Sequence, residues 1–243
     1  MKASLIAYTN FNSSLAHQLT GWDTDASGGQ ALAEMAGRAC YASWDKPNPA
    51  TATNKGYLAN IIKQQHHSVL EHGSATFYIT GVSRSLTHEL IRHRHLSYSE
   101  LSQRFVDMQN ASWILPPAIP DGDTETMQEM AVAGFGMKTA YAALVDKLTK
   151  RGKTRKQARE AARAVMPNMT ETRIVVTGNY RAWRHFLAVR GTEHADAEIR
   201  RLAVDIGWTL KTHAPNIFQD MHLRTWPDGT DTLYFGAHDE EKA

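Results

Sequence analysis

Residues 75–92 read Ala75-Thr76-Phe77-Tyr78-Ile79-Thr80-Gly81-Val82-Ser83-Arg84-Ser85-Leu86-Thr87-His88-Glu89-Leu90-Ile91-Arg92. The opening residues alternate. Ala75, Phe77 and Ile79 fall on one side, and Thr76, Tyr78 and Thr80 on the other. That period predicts a strand with one buried face. After Gly81 the period changes. Ser83 or Ser85 starts a helix to about Arg92, with Leu86, Leu90 and Ile91 inward. Upstream, residues 3–8 read as a first strand. Gly28 and Gly29 precede a helical pattern through about Tyr41, with Leu32, Met35 and Ala36 on one face. Pro47, Asn48, Pro49 and Asn54 mark 44–54 as a loop, and Thr53 or Asn54 caps a helix carrying Leu58, Ile61 and Ile62. Downstream, 95–104 lack long periodicity and read as a loop or a short turn of helix. Ala111–Leu115 reads as a strand closed by Pro116, Pro117 and Pro120.

Thr124 opens a long helix to about Thr149, with Met127, Met130, Met137, Tyr141 and Leu144 near one stripe. Thr154 caps the next helix, which Pro167 ends. Arg173–Thr177 is β-rich. Asn179 caps a helix that Gly191 stops. A last long helix runs from about His194 to Thr212, before Pro215, and Asp239–Ala243 should fray. Helices and strands without regular alternation predict an α+β fold, with a mixed or antiparallel sheet and long helices.

The 243 residues suit one compact domain, 1–243. A net charge of +2 argues against a chain-wide nucleic-acid surface, and no window is apolar enough to span a membrane. The first residues hold too short an apolar run for a signal peptide. One cysteine, Cys40, excludes an internal disulfide and a cysteine-rich metal cage, and points to a reducing, cytoplasmic setting. Its expected role is buried packing.

Several segments could carry chemistry. Arg92-His93-Arg94-His95 joins guanidinium forks and imidazoles, a set that suits an anion bearing a planar ring system; the alternative is a solvated basic patch. Ser102-Gln103-Arg104 adds donors for a phosphate, and Glu100 between the two runs should stay ionised and accept from a sugar hydroxyl. His66 to His72 tempts a metal reading, but His67 and His72 are five apart, roughly 140° from a shared helical face. Ser68 there could bind a phosphate or a ring carbonyl. Arg163 alone is an ordinary surface residue. Asn179 sits where a helix presents free N–H groups. Arg181, His185 and Arg190 follow at spacings that need not face one site.

Arg92-His93-Arg94, then seven residues, then Ser102, resembles the signature of the flavin-dependent thymidylate synthases. The run Glu89 to Phe105 is similar throughout. So is His66 to His72, against the family's His-x-Ser/Thr-x-x-Glu-His segment, and so are Ala162 to Pro167, Asn179, and His185 through His194. The resemblance covers most of 60–206. It implies the family's fold, and dTMP made from dUMP with methylenetetrahydrofolate as carbon donor and FAD reduced by NADPH. It also implies a homotetramer with sites shared between subunits, and no nucleic-acid or membrane partner. By position, Ser68, Arg92, His93, Arg94, Glu100, Asn179, Arg181 and His185 should touch FAD. Glu89, Leu90, Ile91, Arg92, Glu100, Leu101, Ser102, Gln103, Arg104, Arg163 and Arg190 should touch dUMP. Arg190 is the catalytic candidate, a fixed cation where negative charge gathers on the pyrimidine. No metal site is implied.

The chain departs from many members. Glu89 stands where Gln is frequent, His185 where Asn is, Phe105 where Tyr is, and Ser99 where Asn is. Competing readings are a non-catalytic nucleotide- or RNA-binding module and a His-rich metallohydrolase.

Overall fold

A computed structural model describes residues 1–45 and 48–236. Pro47 of the expected loop, and the tail expected to fray from Asp239, lie outside the described residues. The architecture is α+β: eight α-helices and six strands, without regular alternation, among the described residues. Strands β1 (Lys2–Tyr8), β2 (Ser74–Ser83), β3 (Leu96–Glu100) and β4 (Glu171–Asn179) join in one sheet in the order β1-β2-β4-β3. Strands β5 (Met221–Thr225) and β6 (Asp231–Phe235) form an antiparallel hairpin, with Leu223 opposite Leu233. Its turn reaches a positive φ of 80° at Gly229.

By packing, the chain falls into two compact units. The first comprises Met1–Lys2, Ile79–Arg92 and Tyr98–Val175. It holds helices α4 (Arg84–Leu90), α5 (Thr124–Lys150) and α6 (Arg155–Ala162). Ser83 caps α4 by accepting from Leu86 N–H, and Leu86 and Leu90 are buried as expected. Ile91 is not: the helix ends before it and leaves it exposed. Thr154 and Gln157 close a reciprocal capping box on α6. Along α5 the expected stripe buries Tyr141, against Met108 and Ala162, whereas Met127 and Met137 stay exposed beside Val132 and Phe135. The strand expected at 111–115 shrinks to one bridge between Trp113 and Thr170. Ile114 N–H bonds Met169 O, but no longer ladder follows.

The second unit comprises Ala3–Tyr78, His93–Ser97 and Val176 onward. It holds helices α1 (Ser13–Thr20), α2 (Gly28–Tyr41), α3 (Asn54–Lys63), α7 (Tyr180–Arg190) and α8 (Ala197–His213). The inward face of α2 is not the expected one. Leu32, Met35 and Ala36 are half-buried, whereas Glu34 and Arg38 are fully buried. Their ion pair spans 2.7 Å. Arg38 also donates to Ser43 O and Thr51 O, and Glu34 accepts from Thr24 and Asn54. A buried charge pair is tolerable when its remaining groups are bonded, and here they are. Cys40, expected inside, is exposed, because this polar face turns the end of α2 outward.

Strand β3 replaces the loop or helical turn expected at 95–104. Leu96 is buried over Gly178, where an added Cβ would lie 2.2 Å from Leu96 Cδ2. That seat comes from a segment distant in sequence, so local periodicity could not reveal it. Buried Trp183, Phe186 and Leu187 anchor α7, and Trp183 Nε1 donates to Ala75 O at 3.1 Å. Thus α7 is fixed on one side and presents the other.

Candidate functional site

Most candidate residues of the second unit are arranged by α7. Asn179 Oδ1 accepts from Ala182 N–H at 2.8 Å, so the expected cap is in place. Arg181, His185 and Ala188 follow at helical spacing on one face. With Asn179 they line a cleft of about 670 Å³, completed by His67, Glu71, His95, Ala182, Arg184 and Phe235. Three of the FAD candidates, Asn179, Arg181 and His185, are therefore brought together. Ser68 is exposed on the turn His67–Glu71, and Arg94 is exposed immediately before His95.

The charges in this cleft differ in kind. Arg184 is buried and bidentate to Asp220, at 2.7 Å on each branch, and also donates to Ile217 O. It is an anchor of the fold. Arg181 pairs with Glu71 at 2.5 Å while both stay about half exposed, so this pair can exchange for a ligand. Burial, then the charges of Arg184 and Arg181, hold His67 below the usual histidine range. It is a neutral imidazole at pH 7.

Arg190 occupies a different face of α7 from Arg181 and His185. Its Nε donates to His93 Nε2 at 3.1 Å. The His93 ring meets Phe186 edge-on at 5.2 Å and His185 at 5.9 Å. Burial first, then Arg190 and His185, push His93 down to about 4. Neither His93 nor Arg190 lines the cleft.

The dUMP candidates other than Arg190 all belong to the first unit. Glu89 and Leu90 end α4, with Ile91 and Arg92 exposed beyond it. Leu90 is buried, and its carbonyl accepts from the Tyr98 hydroxyl at 2.7 Å. Burial raises that phenol to about 12, so it remains a donor. Glu100 accepts from Arg84 at 2.8 Å, Thr87 at 2.9 Å and Thr172 at 3.1 Å, all on Oε1. Leu101 N–H bonds Arg173 O, Ser102 O caps the turn at Phe105 and Val106, and Gln103 is buried. Arg104 reaches Glu160 at 3.6 Å, and Arg163 is exposed on the turn after α6.

Sequence reasoning named His95 within its basic run but missed His67, Glu71, Arg184 and Phe235 as cleft walls. His67 and Glu71 lay in the segment quoted for Ser68, so their signal was present. Arg184 and Phe235 had none: one partners Asp220, 36 residues on, and the other arrives on a hairpin. Among the described residues, no group of three or more His, Cys, Asp or Glu could hold a metal ion. Among the described residues, no helix is long and apolar enough to cross a membrane.

The cleft's donor set fits a dinucleotide cofactor. A guanidinium, imidazoles, an amide and a helix N-terminus suit pyrophosphate oxygens and ring carbonyls, and the volume lies in the usual ligand range of roughly 300–1,000 Å³. The family model described as thymidylate synthase complementing protein matches residues 24–216. The chain is 56% identical over 238 residues to the flavin-dependent thymidylate synthase of Mycobacteroides abscessus, which covers 95% of this chain and 94% of that one. It is 54% identical, over the same shares, to those of Mycobacterium avium and Mycobacterium tuberculosis. With the signature run, the family model and near-complete alignment in agreement, the chain belongs to the flavin-dependent thymidylate synthase family.

Proposed function

We propose that this FAD-dependent thymidylate synthase converts dUMP to dTMP with methylenetetrahydrofolate as one-carbon donor and NADPH as the reductant of its flavin. The observation that carries the reading is the division of α7: Asn179, Arg181 and His185 at a polar cleft, and Arg190 held by His93 on another face. When bound, reduced FAD supplies the hydride. Asn179, Arg181, His185 and the exposed Ser68, Arg92 and Arg94 hold and orient it, with His93 and Glu100. Glu89 to Arg92, Glu100 to Arg104, and Arg163 receive dUMP. Leu90 and Gln103, being buried, act through backbone or through a small part of the side chain. Glu100 has one oxygen committed to Arg84, Thr87 and Thr172, which fixes how it meets a sugar hydroxyl. Arg190 places its cation at the pyrimidine edge where negative charge develops.

We read 1–243 as one functional domain with the family's fold, because the family match crosses both compact units. A homotetramer with shared sites agrees with the candidate residues being divided between units and several being exposed. The exposed thiol of Cys40 suits a reducing cytoplasm. The test is the absorption spectrum of purified protein, its bleaching by NADPH, and dTMP formation on adding dUMP and methylenetetrahydrofolate. A colourless protein that also refuses added FAD contradicts the proposal.

A further inference from the structure

We propose that Arg159 is a positioning residue for dUMP: from helix α6 it clamps the turn that carries Ser102, Gln103 and Arg104. The inference rests on the dUMP role proposed above for those three residues. Geometry carries it. Ser102 O accepts from Phe105 N–H at 3.1 Å and from Val106 N–H at 3.0 Å, so 102–106 is a tight turn. Its upstream end is held to β4, where Leu101 N–H bonds Arg173 O. Its downstream end is held by Arg159. One Nη donates to Phe105 O at 2.7 Å and the other to Asp107 Oδ2 at 2.8 Å. The two bonds use the planar fork of a guanidinium, which a single ammonium does not reproduce.

Magnitudes separate Arg159 from its neighbours. Lys156, Arg159 and Glu160 share one face of α6, and all three reach the turn. Lys156 Nζ lies 5.0 Å from the centre of the exposed Phe105 ring. Glu160 meets Arg104 at 3.6 Å, with both side chains roughly half exposed. Solvated contacts of these kinds are worth little. The Arg159 side chain is only 15% exposed. Its partner Asp107 is itself tied: Oδ1 accepts from Gln109 N–H at 3.1 Å. The next residue, Met108, is buried, and its N–H donates to the Tyr141 hydroxyl on α5 at 3.3 Å. Burial alone would raise the Asp107 carboxyl, but the bonds from Gln109 N–H and Arg159, with the Arg159 charge, hold it below the usual range. It is a carboxylate at neutral pH, so its bond to Arg159 is charge-assisted. The clamp thus runs from the Met108–Tyr141 core through Asp107 and Arg159 to the Phe105 carbonyl. Fixing that carbonyl fixes the plane of the peptide that closes the turn, and with it the placing of Ser102 and Arg104.

Steady-state kinetics in dUMP, beside flavin absorbance, test this. Arg159→Ala should lower dUMP kcat/KM by roughly 10–10²-fold, the cost of a misplaced binding group. The loss should fall mainly on KM, with flavin content and its bleaching by NADPH unchanged. Arg159→Lys, which reaches one acceptor but not both, should recover part of the loss. Two controls on the same helix separate positioning from stability. Thr154→Ala weakens α6 by removing its cap and should leave the dUMP KM unchanged. Glu160→Gln should change that KM by no more than a few-fold. An unchanged KM in folded Arg159→Ala overturns the proposal. So does a KM raised equally by Thr154→Ala, or a loss of flavin that matches the loss of dUMP affinity. If Arg159→Ala does not fold, Arg159→Gln takes its place with the same direction expected in KM. Wild-type protein that binds flavin but forms no dTMP from dUMP brings down the underlying reading instead, and this inference with it.

Discussion

Arg190 is where a change of one residue says most. As the last residue of α7 it could merely complement the helix C-terminus, which is worth under about 1 kcal/mol at an exposed site. It is instead half-buried and bonded to His93. Arg190→Lys keeps the charge but loses the planar fork. The variant should fold and hold flavin, yet lose dUMP affinity and about 10²–10³ in rate, as for a lost transition-state donor. Steady-state kinetics with flavin absorbance check it, and near-normal turnover by the folded variant would sink the assigned role. Cys40 makes the opposite case. The thiol is exposed at the end of α2, and its hydrogen-bond partner is Ala36 O. Cys40→Ala should keep substantial dTMP formation, whereas complete loss in a folded variant would restore a cysteine nucleophile. His93 adds a pH signature. Its folded value of about 4 lies below the ordinary 6.5, so the unfolded chain takes the proton first on acidification. The contribution to stability is whole above about pH 6.5 and is lost as pH falls toward 4. Urea midpoints should therefore fall less steeply with acid in His93→Gln than in wild type, and parallel curves would show that His93 does not titrate this way.

At the scale of elements, caps and strand alternation were legible in the sequence. Thr53, Ser83, Thr154 and Asn179 all cap the helices expected of them. A cap is a bond between a side chain and backbone two or three residues away, so its chemistry is local. Alternation at 75–80 also survives, with Ala75, Phe77 and Ile79 buried. Elements with little local signal escaped. Helix α1 buries only Ala16, so no apolar stripe announces it. Strand β3 and the β5–β6 hairpin depend on partners for their pattern. The two caps on α6 and α7 give a paired prediction. Thr154→Ala and Asn179→Ala should each cost about 1 kcal/mol, read from urea unfolding. Only Asn179→Ala should also weaken flavin binding, since Asn179 lines the cleft and Thr154 does not. Equal flavin affinity in the two variants would remove Asn179 from the cofactor site.

For the whole molecule, the distribution of candidate residues bears on assembly. Ser68, Arg92, Arg94 and Arg163 are exposed, and Val132 and Phe135 leave apolar surface on α5. An oligomer that completes the site should couple assembly to flavin binding. Dilution or a substitution that yields folded monomers should abolish FAD uptake, followed by light scattering beside flavin absorbance; fully active monomers count against shared sites. By itself the sequence determined the α+β class, most helix starts and the family, because caps, periodicity and a contiguous run such as Arg92 to Ser102 are properties of neighbouring residues. Tertiary structure alone decided the inward face of α2, the strand at 96–100 and the separation of Arg181 from Arg190. Glu34 and Arg38 can be buried only because Asn54, Ser43 and Thr51 converge on them. Leu96 becomes a strand residue only because Gly178 makes room for it. Arg190 is turned toward His93, 97 residues away, by a hydrogen bond and a ring contact that no local spacing encodes.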